Sequence, residues 1–154
     1  MNNFKFITLL QLIKDCDNIE EIKDQYISLL SQLTTATNLS SVEFINKVNE
    51  ISDKGDIIIC YIIDDKKLHI IGTGTVIYEP KIIHNCMYVG HIEDIVVDSN
   101  YRSNGIAKEL LQGLMKMAKE HKCYKVILDC NSNLTKFYEK NGFIYHGNQM
   151  ALYF

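Results

Sequence analysis

Apolar and polar positions alternate along this chain with two different periods, and the changes of period mark its elements. From Asn18, NIEEIKDQYISLLSQL places Ile19, Ile22, Tyr26, Leu29, Leu30 and Leu33 at helical spacing. Asn18 can cap that helix, and Glu21 three residues later completes a capping-box pattern. The polar run TTATNLS breaks the period. Ser40 and Glu43 then open a shorter helix with Phe44, Val48 and Ile51 on its inner face, which stops around SDKG. The opening stretch, MNNFKFITLLQLIKDCD, reads as a first strand or helix. Its apolar run is short, Lys5 comes late and no small-residue cleavage site follows, so a secretory leader is not expected.

After Lys54 the period changes. DIIICYII is a continuous β-branched run, too short for a helix and suited to a buried strand. DDKK makes a turn, and LHIIGTGTVIY is its hairpin partner, where Gly72 and Gly74 predict a bulge or a close backbone approach. A further strand is predicted over 88–97 and a helix over 105–121, with Ile106, Leu110, Leu111, Leu114, Met117 and Ala118 inward. YKVILDC is again strand. SNLTKFYEKNG is a short helix closed by Gly142 at its C′ position, and FIYHGNQMALYF supplies one or two terminal strands. Two helices, a run of antiparallel strands, then strand–helix–strand–helix–strand describe an α/β chain with a mixed sheet. The strand–helix–strand crossover is right-handed by default, and ligands of such sheets gather at the carboxyl ends of the strands.

At 154 residues, positions 1–154 are expected to form a single domain. A net charge of −3 gives no general electrostatic case for nucleic acid or an anionic membrane. The five cysteines, Cys16, Cys60, Cys86, Cys123 and Cys130, are odd in number and never spaced C-x-x-C, which argues against a disulfide framework and a zinc site. Reduced thiols, no metal, no membrane span and a cytoplasmic location are the expectation.

The stretch YRSNGIAK, at the carboxyl end of the 88–97 strand, carries the most chemistry. The first backbone N–H groups of a helix have no intrahelical partner, and the helix dipole favours an anion there. Gly105 removes a Cβ, Ala107 keeps the next turn small, and Arg102 and Lys108 add positive charge. The Walker pattern is absent, and Gly72-Thr73-Gly74 lacks the third glycine of a dinucleotide loop. Spacing alone leaves two readings open: a pyrophosphate seat, or merely a permissive helix start.

Arg102-Ser103-Asn104-Gly105-Ile106-Ala107 resembles the acyl-CoA pyrophosphate loop, R-x-x-G-x-A, of the GNAT acetyltransferase superfamily. KIIH (81–84), GHIEDIVVDSNYRSNGIAK (90–108), CYKVILDC (123–130) and FYEKNGF (137–143) together resemble one branch, the glucosamine-6-phosphate N-acetyltransferases. The likeness is dense from Lys81 to Phe143 and thinner toward Leu33–Thr35 and the C-terminus.

The resemblance implies a mostly antiparallel sheet whose central parallel strands splay, with acetyl-CoA as co-substrate lying in the wedge. Backbone groups of Ile95, Val96 and Val97 would meet the pantetheine arm, one N–H near Ile95 or Val96 would polarise the acetyl carbonyl, and Arg102–Ala107 would hold the pyrophosphate. Glu93, Asp94 and Asp129 are implied to hold the sugar amine and hydroxyls, and adjacent Glu93 and Asp94 are expected on opposite strand faces. Tyr138 is implied to protonate the departing thiolate. An unperturbed phenol, with a pKa of about 10, is protonated at neutral pH and suits that role. Lys81, Ile82, Ile83 and His84, with Thr34, are implied to hold the sugar phosphate. The branch pairs as homodimers through C-terminal strands and feeds UDP-N-acetylglucosamine synthesis.

Three departures stand out. Ser103-Asn104 occupies positions where glycine usually follows the first arginine. Leu134 stands where an asparagine is typical four residues before the tyrosine, leaving Asn133 as a substitute cofactor contact. Tyr153 replaces an arginine beside the last phenylalanine. Other readings are a GNAT enzyme for another small amine or a peptide, and a non-catalytic acyl-CoA-binding module. A ping-pong route through Cys130 is disfavoured, because no histidine stands in a relation that implies its activation.

Overall fold

The computed structural model describes residues 4–154, so the first three positions of the opening stretch lie outside it. A short strand β1 (Lys5–Thr8) leads directly into helix α1 (Leu9–Asp15), so the opening stretch is strand and then helix. Helices α2 (Ile19–Leu30) and α3 (Ser41–Ser52) follow. Asn18 caps α2 by accepting from the Glu21 N–H, and Ser40 with Glu43 forms a reciprocal capping box on α3. Leu33 falls beyond the end of α2 in a turn and stays exposed, so the inward face ends earlier than its spacing predicts.

Strands β2 (Gly55–Asp64), β3 (Lys67–Pro80) and β4 (Tyr88–Val97) form an antiparallel meander, with a single turn α4 (Ile83–Cys86) between β3 and β4. Helix α5 (Ile106–Glu120) crosses to strand β5 (Cys123–Ile127), which pairs parallel with β4. The sheet order is β1-β2-β3-β4-β5. A 3₁₀ turn (Ser132–Leu134) and helix α6 (Thr135–Lys140) come last. The predicted strand over 124–130 is shorter than its apolar run, ending at Ile127 and leaving Asp129 and Cys130 outside the ladder.

Alternation along β2 sorts its side chains to two cores. Ile57 and Ile59 pack with α1, α2 and α3, whereas Ile58 and Cys60 pack with Ile106, Leu110, Leu111 and Leu114 of α5. The leucines of α5 are wholly buried, each stabilising the fold by about 2 kcal/mol through burial. Gly74 lets α5 approach the sheet closely, since a Cβ there would meet Leu114 Cδ1 at 2.9 Å.

The terminal strands predicted for FIYHGNQMALYF are not present. Residues 143–154 form no ladder, and Ile144, Tyr145, Met150, Leu152, Tyr153 and Phe154 are exposed. A strand exists only with a hydrogen-bonded neighbour, and this apolar segment takes none among the described residues.

Candidate active site

The pairing of β4 with β5 runs from Tyr88↔Cys123 to His91↔Ile127 and then stops, although β4 continues to Val97. From Ile92 onward the β5-facing edge of β4 therefore has no ladder partner among the described residues, and this includes Ile95, Val96 and Val97. On its other edge β4 bulges. Thr75 pairs with Glu93 and Thr73 with Val96, so Gly74 alone faces both Asp94 and Ile95. Asp94 sits at φ 52°, in the left-handed region that an L-residue adopts only at a cost.

Glu93 and Asp94 adjoin this bulge. The extra residue interrupts the two-residue period, and both side chains reach solvent in succession. Partial desolvation pushes the Glu93 carboxyl above its ordinary pKa, and the charges of Asp94 and then Asp129 push it further. Three carboxylates from β4 and the segment after β5 thus share one field. Asp129 accepts from Gln149 Nε2 at 2.9 Å. Behind the bulge, desolvation pushes the buried Tyr26 phenol up to about 12, its hydroxyl lying against Thr73 with Asp94 close enough to add to the shift. Helical spacing assigned Tyr26 only to the core, and nothing in the sequence pattern signals its closeness to Asp94.

Past Val97 the chain turns through Ser99–Tyr101, tied to the end of α2. Gln32 donates to Asp98 Oδ2 at 2.8 Å and accepts from the Ser99 N–H at 2.9 Å. Ser103 and Gly105 have φ of 65° and 83°, and α5 starts with no side-chain cap. An added Cβ on Gly105 would meet nothing within 4 Å. The start of α5 thus combines uncapped N–H groups with open space on the Cβ side of Gly105, features compatible with an anion seat. Arg102 Nε donates to the Val97 carbonyl at 3.1 Å, which anchors the guanidinium at the end of β4. Ser103 and Asn104 are exposed and Ala107 is half-buried. Ile106 is buried in the core, leaving its backbone N–H as the group it can offer.

Tyr138 lies on α6 with its ring edge-on to Phe137 and Phe143, at centroid distances of 5.1 and 5.8 Å. The helix ends in a Schellman motif: the Phe143 N–H donates to the Tyr138 carbonyl and the Gly142 N–H to Glu139, with Gly142 at φ 91°. Burial raises the Tyr138 phenol pKa, and the neighbouring Cys130 adds to the shift. The phenol is therefore protonated at neutral pH. Asn133 is exposed in the turn before α6, beside an exposed Leu134.

Lys81, Ile82, Ile83 and His84 occupy the β3–β4 turn, closed by the Lys81 N–H donating to the Met87 carbonyl at 3.0 Å. His84 stacks on Tyr124 at 4.1 Å, while Ile82 and Ile83 face solvent. Lys81 Nζ lies 2.5 Å from Glu79 Oε1, and His91 Nε2 lies 2.8 Å from Glu79 Oε2. Thr34 follows α2 near Gln32, at the Val97 end of β4. One chain thus gathers Glu93, Asp94, Asp129, the Ile95–Val97 edge and the Gly105 turn, and leaves Thr34 and Lys81 at opposite ends of β4. Among the described residues no group of three or more His, Cys, Asp or Glu side chains is placed to hold a metal ion. No helix among them is long and apolar enough to cross a membrane.

Residues 19–143 match the acetyltransferase (GNAT) family. The chain belongs to that family. This GNAT chain is 41% identical over 138 residues to the glucosamine 6-phosphate N-acetyltransferase of Arabidopsis thaliana, covering 87% of this chain and 93% of the relative. It is 38% identical over 137 residues to glucosamine 6-phosphate N-acetyltransferase 1 of Dictyostelium discoideum, covering 88% and 87%. The crystal structure of the Arabidopsis thaliana glucosamine-6-phosphate N-acetyltransferase superposes with a TM-score of 0.83 at 34% identity, over 99% of both chains. A Trypanosoma brucei acetyltransferase gives 0.84 at 32% identity, over 99% of this chain and 100% of that one.

Proposed function

We propose that this GNAT enzyme, one catalytic domain spanning residues 1–154, transfers the acetyl group of acetyl-CoA to the amine of D-glucosamine 6-phosphate, making N-acetyl-D-glucosamine 6-phosphate for UDP-N-acetylglucosamine synthesis. The observation that carries the reading is the bulged, splayed end of β4. There an unpaired strand edge, a cluster of three carboxylates and the open start of α5 meet, in a chain with sugar-phosphate acetyltransferase relatives over most of its length.

The residues divide the work by chemistry. N–H groups from Gly105 to Lys108 and the side chain of Arg102 hold the pyrophosphate of CoA. The free edge at Ile95–Val97 bonds the pantetheine arm, which satisfies backbone groups that the splay leaves unpaired. An N–H at Ile95 or Val96 stabilises the oxyanion formed as the amine attacks the thioester. Glu93, Asp94 and Asp129 orient the sugar amine and hydroxyls. An amino-sugar nitrogen is less basic than a lysine amine, because electronegative oxygens surround it, so a neutral nucleophile is available without a strong base. The Tyr138 phenol gives its proton to the leaving sulfur, and its raised pKa keeps that proton in place before transfer. Lys81 and His84 bind the phosphate.

The exposed apolar tail, the exposed Ile82 and Ile83, and a β5 whose only ladder partner among the described residues is β4 favour a homodimer that covers them. In such a dimer the second chain can bring Thr34 or tail residues to a site that one chain leaves open at one end. Five free cysteines fit a cytosolic setting.

The test is release of free CoA thiol from acetyl-CoA with glucosamine 6-phosphate, glucosamine, a polyamine or a lysine peptide as acceptor. Turnover confined to the phosphorylated sugar is expected. Turnover with a different amine would discard the acceptor, and CoA binding without turnover anywhere would make the chain an acyl-CoA-binding module.

A further inference from the structure

We propose that Glu79 and His91 are positioning residues that set selectivity for a phosphorylated acceptor by holding Lys81; this rests on the sugar-phosphate reading of the site. A lysine ammonium on a flexible stem is a poor fixed anchor unless something orders it. Here the backbone of Lys81 is pinned by the Met87 carbonyl at 3.0 Å, and its Nζ is held 2.5 Å from Glu79 Oε1. The other oxygen of that carboxylate meets His91 Nε2 at 2.8 Å. Glu79 therefore bridges the phosphate turn to β4. Lys81 first, and then His91, hold its carboxyl below the usual range, so the bridge stays charged at neutral pH.

The cross-strand register explains why this bridge points toward the acceptor site. Glu79 pairs with Val89, and His91, two residues on, lies on the same face of β4 as its diagonal neighbour. Glu93 is the next residue on that face, about 7 Å further along the strand. His91 is also the last β4 residue paired with β5, so it stands where the wedge opens. The row Lys81, Glu79, His91, Glu93 thus runs from the phosphate turn to the carboxylates that meet the amine. A phosphorylated amino sugar places its phosphate at the Lys81 end of this row, and an unphosphorylated one leaves that end unused.

The experiment is a double-mutant cycle on the intact chain, read as KM and kcat for glucosamine 6-phosphate and as selectivity over glucosamine. Glu79→Gln should raise KM for the phosphorylated sugar about tenfold, the size of one charge-assisted hydrogen bond, with a much smaller change in kcat. The selectivity ratio should fall by the same factor. In a Lys81→Ala background Glu79→Gln should add nothing, because its effect runs through Lys81. His91→Leu should shift KM in the same direction, and His91→Gln, which still donates a hydrogen bond, should restore it. Additive effects of Glu79→Gln and Lys81→Ala would overturn the inference. So would a lowered KM in Glu79→Gln, which would make Glu79 a competitor for Lys81. Wild-type protein that ignores glucosamine 6-phosphate but acetylates another amine would overturn the acceptor reading, and this inference with it.

Discussion

Replacing Gly105 by alanine separates two effects that a bulkier change would confuse. Its φ of 83° is left-handed, and an added methyl meets nothing within 4 Å of the free protein. The cost to the fold is then conformational alone, about 1–2 kcal/mol. At this chain length each kcal/mol lowers Tm by about 2–4 °C. Gly142 is a built-in control, with φ of 91° and the same empty surroundings, but placed at the end of α6. Gly142→Ala should lower Tm by a similar amount. The two variants should differ in acetyl-CoA binding. A methyl at position 105 enters the space the pyrophosphate needs and displaces it from N–H donors. Losing one hydrogen bond to a charged group costs about 1.5–3 kcal/mol, or roughly a ten- to hundredfold rise in Kd. Calorimetric titration with acetyl-CoA, beside thermal unfolding of all three proteins, reads both quantities. A folded Gly105→Ala protein with wild-type affinity would refute the placement of the pyrophosphate.

Tyr138→Phe should lower kcat by about a hundredfold, the lower end of general-acid effects because a thiolate leaves readily, with acetyl-CoA affinity nearly unchanged. Unaltered turnover would remove the phenol from the mechanism. Glu93→Gln should lose activity yet gain thermal stability at neutral pH, since burial and the charges of Asp94 and Asp129 disfavour the ionised carboxyl in the folded state. A folded-state pKa raised above the unfolded value makes that charge destabilising above the folded pKa. The variant's advantage should therefore shrink as pH falls through that pKa; an advantage that persists in acid would contradict a cause in burial and carboxylate repulsion. The proposed homodimer requires that deleting residues 144–154 leave a monomer in sedimentation and abolish turnover. A dimer that survives the deletion would place the interface elsewhere.

The helices and the limits of β4 were legible because burial enforces period. Val89, Ile92, Val96 and Val97 are core residues, and α5 shows an unbroken apolar stripe. The turn at Gly105 stood out in the sequence as a lone glycine at a helix start, and the structure gives it a left-handed φ of 83°. Other features left no pattern. The bulge at Asp94 is a break in alternation rather than an instance of it, and an acid does not announce a positive φ. The Glu79–His91 bridge joins residues twelve apart whose contact depends on register. The tail carries strand-like residues, yet a strand is a relation between two segments, and one segment's sequence cannot supply its partner.

The bulge also bears on how this site tolerates change. The contacts proposed for the co-substrate are largely main chain, at Ile95–Val97 and at the start of α5, so replacing those side chains by alanine would test packing and leave such contacts in place. Length is the sensitive variable. Removing the one extra residue at Asp94 would close the bulge, leaving Ile95 alone opposite Gly74 and abolishing the left-handed backbone at this point. Val96 would still face Thr73 and Val97 would still face Gly72, so both cores would stay filled while the bend of the strand at the site was lost. Single-residue deletions along β4 would thus find a site that a substitution scan passes over, and lineages of this enzyme should vary more freely in the letters of this strand than in their number.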